Sequence, residues 1–64
     1  MPWKKQLSKR ELEISQMVSL GFSNKKIGEE MNISFHTVKA HLRNIYSKTS
    51  IKGRMELVIK MLKK

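Results

Sequence analysis

His36, Lys39, Ala40, Arg43 and Ser47 recur at i, i+3, i+4, i+7 and i+11, the spacing that lines side chains along one face of an α-helix. The stripe carries two long cations around a small alanine, and no Asp or Glu occurs from Ser34 to Thr49. A solvated helix face usually mixes charge signs, so a face of one sign points to a polyanion. Lys and Arg can donate to guanine O6 and N7, and a methyl group can touch a thymine methyl. Lys39, Ala40 and Arg43 are therefore the expected base contacts. His36 and Ser47, at the ends of the stripe, are expected on the phosphate backbone.

Other chemistry finds little support. His41 lies three residues after Val38 and four before Ile45, at the border of the apolar stripe. It reads as a packed, locally hydrogen-bonded histidine, with a base contact as the alternative. His36 and His41 are five apart, off the i, i+4 spacing of a helical metal pair, so no metal site is expected. The chain has no cysteine, which removes thiolate zinc sites and cysteine nucleophiles. No acid is placed to orient a histidine as a base, and Glu29-Glu30 reads as a solvated pair. A chain of 64 residues buries only about 60% of its unfolded surface, leaving little room for an enclosed pocket. No enzyme, cofactor or small-molecule ligand is expected.

Fourteen Lys and Arg against five Asp and Glu give a net charge of +9. Such a domain attracts phosphate-rich partners, whose counterions it releases. The bland alternative, a solubilising surface, carries a cost in self-repulsion. With 39% hydrophobic residues the chain has enough apolar material to fold. The longest apolar run, Leu57-Val58-Ile59, is far short of a membrane span, and no apolar stretch follows Lys4-Lys5, so no signal peptide is expected.

The elements that must position the stripe follow from caps and periodicity. No proline follows Pro2, which suits an all-α domain. Four helices are expected, at about residues 9–20, 24–31, 35–49 and 53–63. Ser8 and Glu11 form a capping box for the first, Ile14, Met17 and Val18 give it one apolar face, and Gly21 ends it. Ser23 caps the second, where Ile27 and Met31 face inward. Gly28 is a poor helix former there, at about 0.8–1.0 kcal/mol relative to Ala, which suggests close approach of another helix. Asn32-Ile33-Ser34 makes the turn, with Asn32 tolerating positive φ, Ile33 as an inward anchor and Ser34 as the next cap. Val38, Leu42, Ile45 and Thr49 give the third helix one buried stripe. Trp3 lies outside these elements, either packed on the bundle or loose.

Short helix, three-residue turn and long capped helix make the helix-turn-helix plan, with the motif at residues 24–43. The fourth helix carries two apolar stripes: Met55, Val58, Ile59 and Leu62, and Leu57 with Met61. Two stripes exceed what one small bundle can cover. Leu57 and Met61 are therefore expected at a dimer interface, with a membrane surface or a further domain as competing occupants. Lys60, Lys63 and Lys64 suit a helix C-terminus, where cations oppose the macrodipole.

Taken together, Leu7-Ser8-Lys9-Arg10-Glu11, Gly21-Phe22-Ser23-Asn24-Lys25-Lys26-Ile27, Ile33-Ser34, Thr37-Val38-Lys39-Ala40-His41, Lys48 and Lys52-Gly53-Arg54 resemble the LuxR-type (GerE-type) DNA-binding domain. The likeness covers roughly residues 7–62. It implies a bacterial transcriptional regulator, cytoplasmic and nucleoid-associated, that binds double-stranded DNA at twofold-related half-sites as a homodimer. It implies base contacts from Lys39, Ala40 and Arg43 of helix three in the major groove. Backbone contacts are implied from Asn24, Lys25, Thr37, Lys52 and Arg54, and pairing through helix four. Arg10 and Glu11 are implied to tie helix one to the rest. Ser15, Gly28 and Thr49 depart from the pattern and suggest a marginal core. On this reading residues 1–6 are an extension and 7–64 the domain, either a minimal regulator or a portion of a longer one.

Overall fold

A computed structural model describes residues 3–63; Met1 and Pro2 of the expected extension, and Lys64, lie outside them. Four α-helices follow a 3₁₀ turn at Trp3–Gln6: α1 (Lys9–Ser19), α2 (Asn24–Met31), α3 (Phe35–Thr49) and α4 (Arg54–Leu62). No strand occurs among the described residues, as the all-α expectation required.

Local hydrogen bonds set the helix ends. The Ser8 hydroxyl accepts from Glu11 N at 3.2 Å while the Glu11 carboxylate accepts from Ser8 N at 2.9 Å, so the capping box is complete. Ser23 and Ser34 likewise accept from Lys26 N and Thr37 N, each at 3.1 Å. α1 closes in a Schellman motif: Phe22 N donates to Met17 O and Gly21 N to Val18 O, with Gly21 at φ +90°. Asn32 takes the left-handed conformation after α2 at φ 59°. Ser50 does the same after α3, also at φ 59°, a turn its residue type does not announce. α4 has no side-chain cap on Gly53; instead Glu56 accepts from Lys52 N at 2.9 Å.

α1 packs mainly on α4 and α2 on α3, with α3 also crossing α1. The shared core is Ile14, Val18, Ile27, Val38, Leu42, Ile45, Ile51 and Leu57. Met17, Met31 and Ile33 pack against it half-buried, and so does Trp3, whose 3₁₀ turn meets α3. Ile51 was not expected inside, because a single aliphatic in a short link shows no periodicity. Ser15 is fully buried and donates to Glu11 O at 2.9 Å, and Thr49 donates to Ile45 O at 2.7 Å, so neither hydroxyl is left unsatisfied.

Two expectations are corrected. The close approach at Gly28 comes from the turn that follows α2, not from another helix. A Cβ there would lie 2.6 Å from Ile33 O, so glycine lets the chain double back onto α2. The second correction concerns α4. Leu57 is 0% exposed and sits in the core, and Met61 is half-buried against it, so Leu57 is not available to a partner chain and Met61 faces inward. α1 covers the Leu57 side of α4. The outward stripe is Met55, Ile59 and Leu62, at 73%, 48% and 69% exposed.

Candidate nucleic-acid interface

The three elements that shape the face are α3, the start of α2 and the start of α4. On α3, Val38, Leu42 and Ile45 are buried, while His36, Lys39, Ala40, Arg43 and Ser47 are all exposed. The inward anchors thus turn the whole cationic stripe to solvent. Neither Lys39 nor Arg43 joins an ion pair among the described residues, so both ammonium and guanidinium are free to meet an external acceptor. His41 is half-buried beside Leu42, the border position expected of it.

Phe35, the first residue of α3, is 46% exposed, and its ring lies 4.1 Å from that of His36 at 31°. Periodicity places Phe35 in register with the buried stripe, three residues before Val38 and seven before Leu42, yet at the first position of α3 it stays exposed. Thr37 is exposed, and its Oγ1 shares a 3.0 Å hydrogen bond with the Ser34 hydroxyl. Lys25 and Lys52 are exposed.

Asn24 and Arg54 are different. Both are half-buried and they are bonded to each other. Arg54 Nη1 donates to Asn24 Oδ1 at 2.7 Å, and Arg54 Nη2 donates to Phe22 O. The guanidinium therefore ties the first residue of α4 to the loop and first residue of α2. Asn24, Arg54, Lys39, Arg43, Leu42 and Tyr46 line one open cleft. Burial pushes the Tyr46 phenol above its ordinary value, and the Arg54 charge pulls only part of that back. Its hydroxyl thus keeps its proton at neutral pH. No acid lines the cleft, so its charge is positive throughout and suits an anion.

A second tie holds α1 to α3. Lys48 Nζ lies 2.8 Å from the Glu11 carboxylate, which is only 5% exposed. Glu11 thus makes the connection expected of it, whereas Arg10 is exposed. Burial would raise the Glu11 carboxyl, but hydrogen bonds from Lys48 and Ser8 and the Lys48 charge outweigh it and hold it below its ordinary value near 4.5. Lys26–Glu30, at 3.4 Å, is an exposed pair of little energetic weight. Glu11 and Glu56 are likewise engaged, and α3 itself carries no acid. No group of three or more His and acidic side chains able to hold a metal ion occurs among the described residues, and none of their helices is long and apolar enough to cross a membrane.

The family model described as bacterial regulatory proteins, luxR family, matches residues 5–61. The oxygen regulatory protein NreC of Staphylococcus aureus strain JH9 is 47% identical over 58 residues, 91% of this chain and 27% of that protein. NreC of strain USA300 has the same identity and coverage. The chain thus spans 27% of the length of these curated relatives. No solved structure matches it.

Proposed function

The chain belongs to the luxR family of bacterial regulatory proteins and is a DNA-binding transcription regulator; on that premise we propose that it reads double-stranded DNA with α3 in the major groove. Lys39, Ala40 and Arg43 contact base edges. Asn24, Lys25, His36, Thr37, Ser47, Lys52 and Arg54 surround the phosphates on either side. The observation that carries this reading is the exposed α3 stripe, cationic and without an acid, backed by a fully buried Val38 and Ile45. Phosphate contacts hold the domain in register and base contacts select the sequence.

The domain proper spans residues 7–64, with the helix-turn-helix at 24–43. A second copy docks on the outward stripe of α4, Met55, Ile59 and Leu62, giving a homodimer on twofold-related half-sites. Exposed apolar area of this kind marks an interaction surface. The protein acts in the bacterial cytoplasm, at the nucleoid, by binding rather than by turnover.

The reading is tested by measuring affinity for selected DNA against salt concentration. Each neutralised phosphate contributes about −0.9 to the log–log slope, and several cations line the face. A slope shallower than about −2 would leave almost no phosphate neutralised and would overturn it. Selection from a random DNA pool should return two related half-sites.

A further inference from the structure

We propose that Arg54 is a positioning residue: it fixes the polarity of the Asn24 carboxamide, so that Asn24 offers hydrogen-bond donors to a DNA phosphate at the start of α2. The inference rests on the DNA-binding reading above and adds to it a route by which α4 governs the phosphate contact of α2.

The chemistry begins with what each group can do. A guanidinium has five N–H donors and no acceptor. The Asn24 atom it meets at 2.7 Å is therefore the carbonyl oxygen. With Oδ1 held, the two Nδ2 donors are left on the other arm of the planar amide. A phosphate oxygen only accepts, so this orientation suits it. A flipped amide would set oxygen against phosphate and –NH₂ against guanidinium, repulsive at both ends.

The fork matters as much as the charge. Its second nitrogen donates to Phe22 O, in the loop that leads into the Ser23 cap. One rigid plane thus fixes both the Asn24 side chain and the backbone before it. A lysine ammonium is a point charge on a flexible stem and cannot reproduce two parallel bonds. The surroundings fit the role: Lys39, Arg43 and Tyr46 share the cleft with Asn24 and Arg54, and no carboxylate lines it.

Arg54 is thirty residues from Asn24 in sequence and directly precedes Met55, where the outward apolar stripe of α4 begins. The phosphate contact of α2 and the exposed face of α4 thus share one connection.

The test is a double-mutant cycle on DNA affinity, run on the full chain with Arg54→Lys, Asn24→Ala and the pair. Positioning predicts that Arg54→Lys weakens binding about tenfold, the scale of a hydrogen bond to a charged group. It also predicts an unchanged salt slope, because lysine keeps the charge and Asn24 carries none, and a double variant no weaker than Asn24→Ala alone. If Arg54→Lys binds like the parent, charge alone suffices, and if the two losses multiply, Arg54 acts independently of Asn24; either result overturns the inference.

Asn24→Asp reads the link from the other end, and covers the case in which Arg54→Lys fails to fold. It keeps the Arg54 partner and the melting temperature but replaces the donors with an acceptor. Binding should fall at least about tenfold; retained binding overturns the inference. Lys39→Ala and Arg43→Ala run alongside. Loss of DNA binding there with an additive cycle sinks only the Arg54 role, whereas unchanged binding there sinks the major-groove reading itself.

Discussion

α3 and α4 both bury one side in the same core, yet they present opposite chemistries to solvent. α3 shows His36, Lys39, Arg43 and Ser47 around the small Ala40, mostly charged and polar groups that water already satisfies. α4 shows Met55, Ile59 and Leu62, whose hydration is unfavourable. The α3 face is stable uncovered and gains only from a partner rich in acceptors. The α4 face gains from any apolar cover. A change on either outer face should therefore alter binding or assembly, while a change on either inner face should alter the fold.

The comparison breaks most sharply at Leu57. Leu57→Ala should cost about 2–5 kcal/mol by thermal or denaturant unfolding, since it deletes a fully buried side chain. A cost under about 1 kcal/mol would mean that Leu57 packs far more loosely than a core leucine. Next is the α3 face. Arg43→Ala should leave the melting temperature unchanged, cost roughly 1–3 kcal/mol on the preferred DNA and relax preference at one position. Equal weakening on every sequence would move Arg43 from base to backbone.

The tie between α1 and α3 is expected to contribute less, about 1 kcal/mol, because the Lys48 end is 46% exposed. A carboxyl held low in the fold stabilises it above its unfolded value. The Glu11 contribution should therefore be complete above about pH 4.5 and fade as pH falls through the lower folded value. Glu11→Gln should flatten that acid limb of the stability curve. An unchanged limb would assign the acid loss to other carboxyls. The smallest stability effect belongs to the outer face of α4. Ile59→Glu should shift unfolding by no more than about 0.5 kcal/mol while abolishing occupancy of paired half-sites. Unchanged sedimentation and DNA binding would remove the second copy from the α4 face.

Much of this molecule is written in short windows of sequence. Ser8, Ser23 and Ser34 each cap a helix with a bond that spans three residues. Gly21 and Asn32 mark the left-handed turns by residue type. α3 has a single apolar stripe, so its inside and outside, and with them the cationic face, follow from periodicity alone. These features need no knowledge of the neighbours, because the interacting groups lie within one helical turn.

What tertiary structure decided is whatever depends on the neighbour. α4 has two apolar stripes of similar strength, and only its packing against α1 put Leu57 inside and Ile59 outside. Ile51 has no period to betray it and is buried because the link between α3 and α4 lies over the core. Glu11 meets Lys48 across 37 residues and Arg54 meets Asn24 across 30. Each carries a charge or a donor that many partners could satisfy. Residue type sets what such a group can bond to, but only the relative placement of helices selects which group it meets.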